Sequence, residues 1–187
     1  MKQSGFSLVE TMVVLGIILV VAAISVPAVW SVRRKGDESL TRSNLRQLWL
    51  AIQLYREDWG GAEVGDMHAM GLPTSQAFHG IVERTGLRPP KRPAANPIHW
   101  YYYMVPEPGV VETPRMLRDW ETHVATCGSQ AVVIADFTFN DFNVLESNPY
   151  KLRKGIGVSL GGSVVAQERA GAPVFNGWWL CPGVSKP

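Results

Sequence analysis

The stretch GFSLVETMVVLGIILVVAAISVPAVW, Gly5–Trp30, decides how the chain folds and where it lies. Its only acidic residue is Glu10, and no charged residue occurs between Thr11 and Val32. A helix of about 22 residues is roughly 33 Å long, which is enough to cross the roughly 30 Å hydrocarbon core of a bilayer. A core helix normally has a polar face, and this segment lacks one. The pattern therefore predicts a membrane-spanning helix.

The composition limits the remaining possibilities. The chain has 187 residues, of which 46% are hydrophobic and 18% charged, with a formal net charge of +2. This suits one ordinary domain with an appendage, and the charge is too small to indicate nucleic-acid binding. The basic clusters Arg33–Lys35 and Arg84–Arg92 are typical of solvated loops.

Two interpretations compete for the apolar segment. A removable secretory signal needs a positive start, an apolar run of roughly 7–15 residues and a small-residue cleavage site. Lys2 and Val21–Ala23 would supply the first and the last. Glu10 favours a permanent helix, because an ionisable residue inside a membrane is costly and usually functional. The simpler alternative places Glu10 at the level of the lipid headgroups.

The order of residues around Glu10 is more specific. A short polar leader ends in Gly5, followed by Phe6, Glu10 and a long apolar run that contains Pro27, so the motif is G-F-S-L-V-E-T-M. This resembles the class III signal of type IV pilins and of the pseudopilins of type II secretion. The resemblance is strong up to Trp30 and only general in the residues that follow.

The resemblance implies a role for each motif residue. A membrane-embedded prepilin peptidase would cut after Gly5, and the new N-terminal residue, Phe6, would be N-methylated. Glu10 would pair with the N-terminal amine of a neighbouring subunit, so that one axial register satisfies both charges. Pro27 falls where pilins place a proline that kinks or locally melts the helix.

The charges that flank the segment oppose the expected orientation. Arg33–Lys35 follow the apolar run, whereas Lys2 and the amine alone precede it. Positive charge usually stays cytoplasmic. The leader motif is more specific than this count, so we expect a cytoplasmic N-terminus and an extracytoplasmic head.

Beyond the membrane the helix is expected to continue. Apolar residues recur there at three- and four-residue spacing on one face: Leu45, Leu48, Ile52, Tyr55 and Trp59. Gly60–Gly61 predicts the end of the helix. One helix from Phe6 to about Trp59 would thus pack its second half on a globular head.

The rest of the chain predicts a strand-rich head. Ala62–Pro114 holds eight of the thirteen prolines and is expected to be irregular, apart from the strand-like run Ile98–Val105. Gln130–Phe139 predicts a strand, and Lys154–Glu168 predicts a hairpin with glycines at its turn. The tail Val174–Gly183 would add an edge strand or pack on the head. Three to five antiparallel strands are expected.

We therefore predict an α+β, pilin-like fold, in which a long N-terminal α-helix, membrane-spanning in its first half, packs on a small antiparallel β-sheet head. The expected organisation has five segments: a leader peptide (1–5), a membrane or filament-core helix segment (6–32), an amphipathic continuation of the helix (33–61), a variable Pro-rich loop region (62–114) and a C-terminal β-sheet region (115–187).

Cys127 and Cys181 are the only cysteines. Outside the cytoplasm thiols tend to oxidise, and many pilins carry a C-terminal disulfide loop, which this pair resembles. A bridge would close a loop of roughly 55 residues and contribute about 4 kcal/mol. Two buried free thiols are the alternative.

A metal site is not predicted. Asp136 and Asp141 are weak calcium candidates, because oxygen ligands cluster with them and some major pseudopilins bind calcium. The spacing does not match an EF-hand loop, and a turn rich in Asn and Asp explains the same residues. The sequence contains no recognisable catalytic or zinc motif, so we expect neither a cofactor nor an enzyme.

The resemblance implies a structural subunit of a type IV pilus-like filament or a type II secretion pseudopilus. Its partners would be copies of itself, sibling pilins, the prepilin peptidase and an inner-membrane assembly platform. It would cross the inner membrane once and later enter a periplasmic pseudopilus or an extracellular pilus. The alternative is an anchored or secreted binding protein that uses Trp100–Tyr103 or Trp178–Trp179 as a carbohydrate platform.

Overall fold

The computed structural model describes residues 8–62, 65, 67–90, 101–107, 114–140 and 151–181. The chain divides into two compact units, Met1–Ser39 and Leu40–Pro187. The helices are α1 (Leu8–Trp59), α2 (Ser75–Thr85) and α3 (Pro114–Cys127). The strands are β1 (Tyr102–Tyr103), β2 (Val132–Asp136), β3 (Leu152–Ser159) and β4 (Val164–Ala170). The long apolar N-terminal helix and the small sheet confirm the predicted α+β, pilin-like fold.

The four strands form one antiparallel sheet in the order β1-β2-β3-β4. The predicted hairpin is confirmed, since β3 pairs with β4 from Leu152↔Ala170 to Val158↔Val164. Its turn includes Gly162, whose φ of 81° lies in the left-handed region that glycine adopts without steric cost. The residues of the hairpin and its turn were therefore enough to predict it.

The apolar stripe of α1 enters the core at three of its five predicted positions. Leu45, Leu48 and Ile52 are at most 1% exposed and share one hydrophobic core with residues of β2 and β3. The prediction for Trp59 was wrong, because this side chain is 70% exposed. Its ring stacks on Tyr55 at a centroid distance of 5.8 Å, and the helix ends immediately after it.

The region 62–114 is not irregular throughout, because it contains α2. The Thr74 side chain caps this helix by accepting a 3.1 Å hydrogen bond from the Ala77 amide. Gly86, at φ 64°, ends it in a left-handed conformation, as is common at helix C-termini. The buried face of α2 consists of Phe78, Ile81 and Val82.

The predicted C-terminal β-sheet region (115–187) also contains a helix that was not predicted. Helix α3 occupies its start and buries Trp120 and Val124 completely. In the aromatic run, the structure assigns only Tyr102–Tyr103 to a strand, and residues 98–100 lie outside the described residues.

The described part of the tail packs on the sheet and adds no strand. It forms a 3-10 turn at Asn176–Trp178, and Trp178 and Trp179 belong to a second hydrophobic cluster with residues of β2. A Cβ on Gly155 of β3 would lie only 2.7 Å from the Trp179 ring. The glycine therefore gives this indole room to lie against the strand.

The expected disulfide is present between Cys127 and Cys181, with the two Cα atoms 5.6 Å apart. It joins the end of α3 to the tail, where Cys181 follows the two buried tryptophans after one intervening residue, Leu180. The alternative of two free thiols is therefore excluded in this structure.

Candidate functional site

From Leu8 to Val32, the described part of the first unit presents an apolar surface without a continuous polar face. Every described residue from Leu8 to Gly36 is exposed. Helix α1 is long and apolar enough to cross a membrane: its most apolar 18-residue window has a mean hydropathy of 2.8 and no buried residue. This surface is consistent with membrane anchoring.

Glu10 lies in the first turn of α1. A carboxylate there interacts favourably with the positive end of the helix dipole. Glu10 and Trp30 are separated by roughly 30 Å along the helix axis, so they mark the two ends of the apolar surface. Gly5 and Phe6 lie outside the described residues, and their roles stay predictions.

Pro27 lies inside α1, which continues through it without interruption. The local melting that the resemblance implied at this position is therefore not found, and the kink stays a prediction. Proline leaves one carbonyl of the preceding turn without its helical donor. Nearby, the Ser25 hydroxyl donates a 2.7 Å hydrogen bond to the Val21 carbonyl, so this part of the helix also carries a side-chain hydrogen bond to its own backbone.

In the head, Asp136 performs the turn role that the sequence suggested as the alternative to a metal ligand. Its buried carboxylate accepts hydrogen bonds from the Thr138 amide (2.9 Å) and hydroxyl (2.7 Å) and from the Thr41 hydroxyl (3.0 Å). Burial raises the pKa of Asp136, and these three donors partly offset the rise. Asp141 lies outside the described residues.

Two polar residues of α1 were missed by the sequence analysis. Thr41 is fully buried against Asp136. The Asn44 amide donates to the Arg88 carbonyl (2.9 Å) and to the Tyr101 hydroxyl (3.0 Å). Both residues continue the three- and four-residue spacing of the apolar stripe, which is the signal that would have found them. They hold the second half of α1 on the head at a defined position.

His123 lies beside the disulfide. The Val132 amide donates to its Nε2 at 3.3 Å, and its Nδ1 is 3.4 Å from the Cys127 sulfur. Burial lowers the pKa of His123 to about 4, so the ring is neutral near pH 7. One of its ring nitrogens and the two sulfurs lie within 4.8 Å of one another. The two cysteines could bind a metal only as thiolates. In this structure their sulfurs form the disulfide instead.

Three of the aromatic residues named for carbohydrate binding are buried in the head: Tyr101, Trp178 and Trp179. Trp178 and Trp179 are 5% and 2% exposed and meet edge to face at 4.9 Å. Tyr103 stacks on Phe78 at 4.6 Å. The proposed Trp178–Trp179 platform is wrong, because both indoles are buried. Trp100 lies outside the described residues.

Comparison with known proteins identifies the start of the chain. Residues 1–26 match the family model of the prokaryotic N-terminal methylation motif. Over 73 residues the chain is 34% identical to "Prepilin peptidase-dependent protein D" of Escherichia coli (strain K12). This matched segment covers 39% of this chain and 50% of that protein. The chain thus spans about half the length of the curated relative that it matches. No solved structure matches it significantly.

Fold and motif together define a class of protein: an α+β, pilin-like chain whose long apolar helix begins at a prepilin methylation motif. The motif and the partial match make this chain similar to type IV pilins and pseudopilins. Gly5, Phe6 and Glu10 all lie inside the segment that matches the motif.

Proposed function

We propose that this chain is a non-enzymatic structural subunit of a type IV pilus-like filament or a type II secretion pseudopilus. The observation that carries the proposal is the exposed apolar surface of α1, which begins inside the methylation motif and contains Glu10 at its start. A large exposed apolar surface normally marks a membrane or protein contact. The same surface can face lipid before assembly and neighbouring helices afterwards.

Processing would generate the charge that Glu10 needs. In the proposal, a prepilin peptidase cuts after Gly5 and the amine of Phe6 is methylated. A methylated amine keeps its positive charge while becoming less hydrated. The name of the E. coli relative, which refers to dependence on that peptidase, supports this step for the present chain.

Assembly would then combine apolar packing with one charged pair. Glu10 follows Phe6 by four positions in the sequence, so a neighbour displaced by a suitable axial step would bring its amine to this carboxylate. Separated charges in an apolar filament core are costly, and pairing offsets much of that cost. The apolar surface would supply affinity and Glu10 the register. Sibling pilins and an inner-membrane assembly platform are the proposed further partners, with the head outside the cytoplasm.

Intact mass and N-terminal sequencing of the protein from its native membrane test the processing step. We expect a chain that starts at methylated Phe6, and an uncut chain from cells that lack the peptidase. A start near Ile24 would indicate a secretory signal instead. An intact Met1 in peptidase-containing cells would reduce the segment to a simple anchor. Either result contradicts the proposal.

Filament yield after shearing tests the register. Glu10→Ala should abolish filaments while the protein remains in the membrane with a folded head. Glu57→Ala removes an exposed carboxylate from the other end of α1 and should leave filaments normal. If Glu10→Ala alone assembled as well as wild type, the register argument would fail.

A further inference from the structure

Residues at the C-terminal end of the apolar surface are sorted by type along the helix axis. Trp30 is 73% exposed and ends the apolar run. The basic residues Arg33–Lys35 come one turn later, and the acidic residues Asp37–Glu38 follow them. The solvated-loop interpretation of this basic cluster was wrong, because Arg33–Lys35 lie inside α1.

The spacing fits the layers of a bilayer. From Trp30 to Lys35 the helix rises about 7.5 Å. The headgroup layer on each side of the hydrocarbon core is roughly 5–8 Å thick. With the apolar run in the hydrocarbon core, the indole reaches its boundary, where tryptophan is enriched, and the basic side chains reach the phosphate layer. The acidic residues follow farther along the helix, and Glu38 reaches back to pair with Arg34.

We propose that Trp30, Arg33 and Lys35 form a docking surface for the headgroups of anionic phospholipids at the outer end of the membrane segment. The proposal rests on the membrane-spanning part of the proposed function. Its partner is a lipid surface with net negative charge, and the contact holds the subunit at a fixed depth before assembly.

The positive charges of the docking surface favour a negatively charged lipid as the partner. Arg34 is partly neutralised, because its Nε lies 3.6 Å from the Glu38 carboxylate. Arg33 and Lys35, both exposed, differ by about 200° around the helix, so they reach lipids on opposite sides. A guanidinium pairs with phosphate oxygens through two parallel hydrogen bonds. A zwitterionic lipid offsets its phosphate with its own cation, whereas an anionic lipid does not.

The docking surface also gives a reason for basic residues at the end opposite to the one that the positive-inside tendency favours. Their attraction to anionic lipid falls off within a Debye length. They therefore act only while the segment is in the membrane, and entry into a filament has to break the contact.

Headgroup-selective quenching of Trp30 tests the proposal with the full mature chain. The protein is reconstituted into equimolar phosphatidylglycerol and phosphatidylcholine vesicles, with bromine on the acyl chains of one lipid or the other. Subtracting the signal of Trp30→Phe protein isolates Trp30. We expect brominated phosphatidylglycerol to show at least a three-fold local excess, since each basic side chain near such a surface contributes about five-fold.

The variant Arg33→Gln/Lys35→Gln should lose this excess, and 0.5 M salt should reduce it in wild type. The matched control Arg46→Gln/Arg118→Gln removes the same charge from exposed positions of the head and should keep it. Equal quenching by both lipids in wild type, or equal loss in the control, would overturn the docking surface alone. Competition by inorganic phosphate beyond that of chloride at the same ionic strength would also overturn it, in favour of a simple anion site.

Absence of Trp30 quenching by either lipid would have a different meaning. It would show that the segment does not reach the bilayer, and the membrane-spanning part of the proposed function would fail together with the docking surface.

Discussion

The two parts of α1 obey different rules. The part in the first unit, Leu8–Ser39, has no buried side chain among its described residues. In the second unit, Leu40–Trp59, one side of the helix is buried by the head: Thr41, Asn44, Leu45, Leu48 and Ile52. The first part is the more apolar of the two, so burial within the chain follows the pattern of apolar residues and not their number.

This contrast separates the tasks of the helix. A stripe with a polar reverse side can be covered by the protein's own sheet. A surface that is apolar all round requires lipid or other helices. We therefore expect substitutions in the second part to change the free energy of unfolding of the head, and substitutions in the first part to change insertion or assembly.

The largest expected effect lies in the head. Replacing both cysteines, Cys127→Ser/Cys181→Ser, should lower its free energy of unfolding by about 4 kcal/mol, because the bridge closes a long loop. Denaturant unfolding of the full chain in detergent, followed by near-UV circular dichroism, measures this loss. Far-UV helicity of the membrane segment should survive unfolding of the head. A loss below about 1 kcal/mol would mean that packing of the tail, and not the bridge, holds the head together.

Leu48→Ala should lower the free energy of unfolding by about 3 kcal/mol, because a fully buried leucine leaves a cavity when it is truncated. Leu19→Ala makes the same chemical change in the first part of α1, where the side chain is 69% exposed. It should leave unfolding of the head unchanged in the same assay. Equal effects of the two variants would contradict the proposal that only the second part of α1 stabilises the head.

What the sequence could predict follows from how local each signal is. The apolar run, the stripe through Leu45 and Leu48, and the glycine-containing hairpin turn depend on nearby residues alone, and all three were found. Helices α2 and α3 carried local signals too. Thr74 and Gly86 are capping residues of α2, and Trp120 and Val124 in α3 have helical spacing. The high proline content around them favoured the prediction of loops.

Other features depend on contacts between distant residues. Trp59 has the spacing of a core residue, yet the core ends before it. The burial of Thr41 depends on Asp136, which is 95 positions away, and the neutral state of His123 depends on burial that no local pattern reveals. The disulfide came from family resemblance and not from spacing. The methylation motif could be predicted from the sequence, because it consists of neighbouring residues near the N-terminus.

A smaller effect tests the polar contact of α1. Thr41→Val should cost about 2 kcal/mol at neutral pH, because the buried Asp136 carboxylate loses one of its three donors and hydrogen bonds to charged groups are the stronger ones. Burial raises the pKa of Asp136 above its unfolded value. Ionisation therefore costs stability as the pH rises through the folded pKa, and the difference between variant and wild type should shrink in acid. Ser43→Ala, on the exposed side, serves as the control; a comparable loss there would contradict the role of Thr41.

Between neutral pH and pH 5.5, the smallest expected effect comes from His123. Its folded pKa of about 4 lies below the unfolded value of 6.5, so the unfolded state binds the proton first as the pH falls. Stability should therefore decline from about pH 6.5 and stop declining below about pH 4, with a loss of about 1 kcal/mol by pH 5.5. His123→Gln should remove this part of the pH dependence, and subtracting the two stability curves isolates it from the opposite effect of Asp136. A ring titration by NMR near 6.5 in the folded protein would contradict the prediction. It would mean that the imidazole beside the disulfide is open to solvent and that the tail covers the sheet less tightly than the buried tryptophans indicate.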